Sequence, residues 1–478
     1  TRYARANNSN CPNYDPSKPT TWNVGLDMNQ LYPSAMSEYL PYDDFKFEEV
    51  TDELVKKVLQ TSDKSDIGYL IEVDIDIDEK EKDNMIDYPM AVEHYAPKFE
   101  ELSKRQQEVY GGKDKYRTSK KLVPTLYNKT NYVCHYRCLK FYLEHGFILR
   151  KVHNILSFRQ APIYRDFIAG NIERRKKAKN DFEKSCPKLI NNSNYGKTIE
   201  NVRKRCKASL LNKHNERQVN RTYQDPRFKG TIDISDDLAI AKQQKTEVLM
   251  DKPIYIGVVV LELSKLLMFQ FHYMMKKKYG KKLKLLFGDT DSVYYNIETK
   301  NIFEDLLEEF REHIDFSSLK GINAKYLDKY RLPNGDLPLE FTKNFGELCK
   351  MKIEHGNAVL YEFLGFKAKM YSLSWVTNVA QEDGTSAEDI QSVQRAKGIK
   401  EREVRHSIHH ETFLKNLCEG LTDEQIRNAG IIVPEGVSNG REVEFNSLRA
   451  YNHDIFLINQ RKKGIDSVDN KRRELDDG

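Results

Sequence analysis

The chain has 478 residues, 39% hydrophobic and 11% aromatic, enough for about two or three domains and too apolar for a disordered polypeptide. Lys and Arg number 77 against 72 Asp and Glu, a formal net charge of +5. The longest apolar run, 254–261, is broken by Glu262 and Lys265, which argues against a membrane span or a membrane partner. No signal-peptide pattern opens the chain, and a start at Thr1 without methionine suggests an excised fragment. Seven scattered cysteines suit an intracellular, reducing compartment. Cys134 and Cys138 flank His135, but without a second pair no zinc site is expected.

The first 21 residues, rich in Asn, Pro and Ser, read as an extended lead-in. A strand follows, with Trp22, Val24 and Leu26 on one face and Asp27 emerging at its end on the other. Over 67–77, Ile71, Val73, Ile75 and Ile77 alternate with Glu72, Asp74 and Asp76. Strict alternation explains those acids as the wet face of a strand, not a metal cluster. Residues 164–184 read as a basic helix. Ser185 and Pro187 then look like the cap and first turn of a second helix, stopped at Gly196. The polar stretch 201–250 looks like an insertion or mobile loop set, and 262–275 like a helix with one buried face. Lys284–Phe287 leads into a hairpin, and Val293, Tyr295 and Ile297 alternate on the way out as in a half-buried strand. Residues 301–330 read as helical, 362–375 as a strand with loops, and 389–399, 409–418 and 422–429 as short amphipathic helices. Helices and strands around a central sheet indicate an α+β fold. Basic clusters at 174–177, 203–205, 276–278, 281–282 and 461–463 fit a polyanion footprint spread over a folded surface.

Three constellations carry chemistry. Asp27-Met28-Asn29-Gln30-Leu31-Tyr32-Pro33-Ser34 sets a carboxylate at a strand end, with an aromatic five residues on. In Lys188-Leu189-Ile190-Asn191-Asn192-Ser193-Asn194-Tyr195-Gly196, spacings of four and seven return Lys188, Asn192 and Tyr195 to one helix face. A cation, an amide and a ring suit a nucleoside triphosphate. Gly288-Asp289-Thr290-Asp291-Ser292 concentrates like charges in a tight turn. A hard divalent cation would relieve that repulsion; a solvated polar turn is the alternative.

Together these segments resemble the A, B and C motifs of family B DNA polymerases, in the family's order. Lys369-Met370-Tyr371 is similar to its K-x-Y motif. Asp87-Tyr88-Pro89, Leu263-Ser264-Lys265 with Phe271-His272-Tyr273, and Arg395-Ala396-Lys397-Gly398 resemble the viral, organellar and Polinton-type branch, whose members typically use a protein primer. The resemblance implies a right-hand polymerase fold with an antiparallel palm sheet, fingers and thumb. It implies palm over 1–160 with an insertion near 90–150, fingers over 161–200 and the polar insertion at 201–250. Palm again would occupy 251–375, and thumb with the C-terminal region 376–478.

The resemblance further implies template-directed DNA synthesis at a primer 3′-hydroxyl, with pyrophosphate released. Two Mg²⁺ ions, replaceable by Mn²⁺, would be held by Asp27, Asp289, Asp291 and the Met28 carbonyl, with Asp289 in a supporting role. Lys188, Asn192, Tyr195, Tyr32 and Leu31 would form the nucleotide site. Lys176, or Arg175 or Lys179 in its place, would assist with the triphosphate. Tyr32 would exclude a 2′-hydroxyl, and Lys369, Tyr371, Ser193 and Gly196 would contact the primer or DNA. Template-primer DNA, deoxynucleoside triphosphates and a terminal protein are the implied partners; cytoplasm, nucleus or a virus factory is the implied setting.

Gln30 stands where many relatives have serine, and Gly288 where tyrosine commonly precedes the acids. Neither departure removes a metal ligand. With 26 residues before Asp27, no 3′–5′ exonuclease domain is expected. Two other readings use the same residues. A catalytically inactive relative would keep the cleft as a nucleic-acid-binding module, and a metal-dependent nuclease or integrase would use the acids but leave the Lys188 helix without a purpose.

Overall fold

The structure is a computed structural model that describes residues 2–367, 369–380, 386–451 and 454–467. Its centre is a nine-stranded sheet, largely antiparallel. The strand Thr21–Met28 lies inside it, paired along Ser292–Glu298 on one side and Met351–Glu354 on the other. Beyond them run the strands Val359–Lys367, Met370–Ala380 and Ser386–Ala396. The expected lead-in is partly structured, because Arg2–Arg5 pairs with Val359–Lys367 at the sheet edge. Trp22, Val24, Leu26 and Met28 enter the largest core with Val293, Tyr295 and Ile297. Ser292–Glu298 is buried on both faces rather than one, since Tyr294 joins a second apolar cluster with Leu286, Phe363 and Leu373.

A four-stranded sheet carries Ile67–Ile77 between Phe147–Ala161 and Lys129–His135. Its alternation is as expected. Ile71, Val73 and Ile75 are buried, while Glu72 accepts from Asn131 and Asn154, and Asp74 faces His153. The segment 93–123 forms a small satellite around Leu102, Tyr116 and Val123. Residues 206–244 hold a three-stranded sheet with a short helix, so the polar insertion is folded, not a set of loops.

The helix expected over 262–275 extends from Ile254 to Tyr279 and is long and apolar enough to cross a bilayer. Glu262 and Lys265 pair with each other at 3.1 Å and do not interrupt it. Ile256, Val259, Leu263 and Leu266 pack into the core of the four-stranded sheet, and Met268, Phe271 and Met275 into that of the central sheet. Burial against both sheets makes it the shared core helix of the fold.

The two basic helices are Arg165–Lys176 and Asp181–Thr198. Asn180, not Ser185, caps the second, accepting from the Glu183 amide. Pro187 lies inside it and Gly196 does not end it. Residues 389–396 form a strand rather than a helix, because they pair in register with Met370–Thr377. The helices His410–Cys418 and Asp423–Ala429 agree with expectation. With the hairpin Glu442–Tyr451 and Asp454–Lys463 they close a C-terminal core around Phe413, Val443, Phe445 and Ile465.

Candidate active site

Two paired strands bring the distant acids together. Ser292 lies opposite both Asp27 and Asp289, and the Met28 amide donates to the Asp291 carbonyl at 2.7 Å. The turn holds Thr290 at φ 65°, and the Asp291 amide donates back to the Asp289 carbonyl at 2.8 Å. That backbone clamp aims Asp291 at the end of the Asp27 strand. Burial, then the Asp291 and Glu354 charges, push the Asp27 carboxyl up to about 7. Lys188 and Lys352 act in the opposite direction. Burial also raises Asp291, with the Asp289 charge adding to it. Like charges held this close gain from a divalent ion.

Asp289 is placed differently. Its Oδ2 is 3.3 Å from Lys369 Nζ, which joins an expected metal ligand to a residue expected on the primer. Among the described residues no three His, Cys, Asp or Glu side chains are grouped to hold an ion. The expected three-acid set is therefore not assembled in this state: Asp27 and Asp291 converge while Asp289 pairs with a lysine. The two carboxylates supply hard oxygen donors of the kind Mg²⁺ prefers.

After Met28 the chain turns at Gln30, which adopts φ 51° before the helix Leu31–Met36. Buried Ser34 ties this turn down, donating to the Gln30 carbonyl at 2.9 Å and accepting from the Cys349 amide at 2.9 Å. Leu31 is 3% exposed, and its side chain belongs to the core. Tyr32 stacks on Tyr195 with ring centroids 4.3 Å apart and planes 12° from parallel. Burial and the Asp291 charge both raise the Tyr32 hydroxyl.

The helix Asp181–Thr198 presents Lys188 and Asn192 in the open, and the Lys188 charge reaches both Asp27 and Asp291. Buried Asn191, unremarked in the sequence, accepts from Asn171 at 2.7 Å and fastens the two basic helices together. Ser193 donates to its own helix at Ile190, whereas Gly196 borders open space. Lys176 does not approach the acids; it pairs with Glu347 at 2.7 Å.

Glu354 was not anticipated. It stands opposite Gly25, two residues along the strand from the Lys352–Asp27 pair, and accepts from the Tyr294 hydroxyl. The alternating run Met351-Lys352-Ile353-Glu354 could have suggested a strand, but nothing in it names Thr21–Met28 as the partner. Lys369 sits at φ 59°, and the Tyr371 ring lies 4.7 Å from Phe287, opposite Arg395 in register.

A palm-like sheet with carboxylates at its centre, a basic helix pair above and a C-terminal unit alongside defines a right-hand polymerase fold. The solved structure "Phi29 DNA Polymerase, orthorhombic crystal form" is similar with a TM-score of 0.51 and 13% identity, covering 97% of this chain and 61% of that one. The chain belongs to the family DNA polymerase type B, organellar and viral, matched over residues 20–277. A structure of Phi29 DNA polymerase complexed with primer-template DNA is similar at TM-score 0.49 and 13% identity, over 96% of this chain and 61% of that one. The chain thus spans less than two thirds of the length of these polymerases. No curated protein matches it.

Proposed function

We propose that this chain is a polymerase core that extends a primer 3′-hydroxyl with deoxynucleotides on a DNA template and releases pyrophosphate. The observation that carries the reading is the convergence of Asp27 and Asp291 from separate strands, with the Lys188 charge reaching both. Two Mg²⁺ ions, or Mn²⁺, bound there would activate the primer oxygen and stabilise the leaving pyrophosphate. Asp27, Asp291 and the Met28 carbonyl would hold them, and Asp289 would join on parting from Lys369.

Lys188 binds the triphosphate, and Lys176 reaches it only by leaving Glu347. Asn192 shapes the pocket from the same helix. The Tyr32–Tyr195 stack opens to admit the nucleotide, leaving Tyr32 under the sugar, where a 2′-hydroxyl would clash. Lys369 and Tyr371 hold the primer end through charge and ring face, with Ser193 and Gly196 along the DNA path. A terminal protein as priming partner rests on the resemblance of Asp87-Tyr88-Pro89 and its companions to the protein-primed branch.

Primer extension with Mg²⁺ and the four deoxynucleotides, beside Asp27→Ala and Asp291→Ala, tests the reading. Extension by the parent chain, lost in both variants, is expected. A folded, DNA-binding parent chain that never extends a primer overturns it.

A further inference from the structure

The C-terminal unit meets one face of the central sheet through apolar side chains. Leu364, Phe366 and Met370 of the sheet pack with Phe413, Leu417 and Phe445. Such contact is non-directional and by itself fixes no unique angle between the two parts. A chain of buried polar groups, Glu362, Ser372 and His410, is set into it. His410 opens the helix His410–Cys418, and nothing in the proposed reaction uses it.

Glu362 Oε2 lies 2.8 Å from His410 Nε2. Burial pushes the Glu362 carboxyl up, but bonds from His410 and Tyr3 and the Arg5 charge bring it below its usual range. It is therefore an anion that only accepts, and Nε2 donates to it in either protonation state of the ring. His410 Nδ1 shares a hydrogen bond with Ser372 Oγ at 2.7 Å, and Ser372 also accepts from the Gln394 amide at 3.2 Å. Arg5, on the N-terminal strand, donates to Glu362 Oε1 at 3.1 Å and to the Gly430 carbonyl at 2.8 Å. Glu362 is thus tied to the C-terminal unit twice, directly by His410 and through Arg5.

Ser372 and Gln394 lie opposite each other in register, beside the opposed pair Tyr371 and Arg395. Alternation along a strand sends that second pair to the other face of the sheet. Lys369, Tyr371 and Arg395 line one side of a cavity of about 510 Å³, and Ile399, Glu401 and Val404 of the C-terminal unit line the other. The angle between unit and sheet therefore sets how wide this cavity opens. We propose that His410 is a positioning residue. Through Glu362 and Ser372 it fixes that angle, and with it the grip on a primer–template duplex. A directional polar line inside a non-directional apolar contact is suited to this, because tilting the unit would leave buried polar groups unpaired. The assignment rests on the polymerase reading, which puts the primer end at Tyr371.

The test pairs two measurements on the full chain and on His410→Ala, His410→Gln and Ser372→Ala, each verified as folded by thermal melts. One is fluorescence anisotropy on a labelled primer–template hairpin, with chelator and no nucleotide. The other is single-turnover incorporation of one deoxynucleotide at saturating hairpin. His410→Ala should weaken hairpin binding about fivefold or more and leave the incorporation rate within about twofold of the parent's. Ser372→Ala should weaken binding in the same direction. His410→Gln, which keeps a donor for Glu362, should recover most of the affinity. A role in stability alone would lower the active fraction at parent affinity, and that result overturns the proposal. Should His410→Ala not fold, Ser372→Ala decides in its place, and parent affinity there overturns the proposal equally. Extension by the parent chain with no variant changing hairpin affinity removes this assignment alone. Weakened hairpin binding in the variants of a chain that never extends a primer removes the polymerase reading alone.

Discussion

Asp27 keeps its proton in the folded chain up to about pH 7, whereas an unfolded aspartate releases it near pH 4. Between those values the folded state binds the extra proton, so stability is highest at the acid end and falls as pH rises through the window. With metal chelated, the melting temperature should decline across it, and Asp27→Asn should flatten the decline. An unchanged pH profile in Asp27→Asn would show that the carboxyl is not held protonated. Asp27→Ala and Asp291→Ala should each cut primer extension by about 10²–10³-fold or more, read in single-turnover assays. Tyr32 stands where its ring meets Tyr195. Tyr32→Val should therefore relax discrimination against ribonucleotides by roughly tenfold or more, and selectivity equal to the parent's would release Tyr32 from that role.

The helix Asp181–Thr198 depends on its neighbours more than on its own sequence. Pro187 removes one internal hydrogen bond, and the apolar residues Phe182 and Leu189 are exposed. Its end docks instead on the shared core helix, where Gly257 makes room: a Cβ there would lie 2.1 Å from Ile199 Cγ2 and 2.6 Å from Thr198 Oγ1. Gly257→Ala should push the nucleotide helix away from the palm, costing about 1–3 kcal/mol. The melting temperature and the KM for deoxynucleotides read the two effects. A variant with parent stability and unchanged KM would show that the contact yields freely. Ser185 and Pro187 suggest a later start for this helix, but Asn180, an equally good cap five residues earlier, begins it.

At the scale of the whole molecule, Ile254–Tyr279 packs into the cores of both sheets, which should therefore unfold together. Leu263→Ala on one side and Phe271→Ala on the other should each cost roughly 2–5 kcal/mol and shift the same single transition. Two separate transitions in calorimetry would show that the sheets fold independently. The sequence by itself determined the α+β class and the wet face of Ile67–Ile77, and it singled out Asp27, Asp291, Lys188, Tyr32 and Tyr195 as the residues to expect at a site, because periodicity and short motifs are local properties. Local pattern misread 389–396, whose amphipathic spacing fits a helix until the neighbouring strand supplies backbone partners. Only the tertiary structure decided that Glu354 stands beside the acids, that Leu31 faces the core, and that Asp289 and Lys176 hold other partners. Those facts depend on strand register and on charges brought close by folding, and no spacing along the chain encodes which distant segments meet.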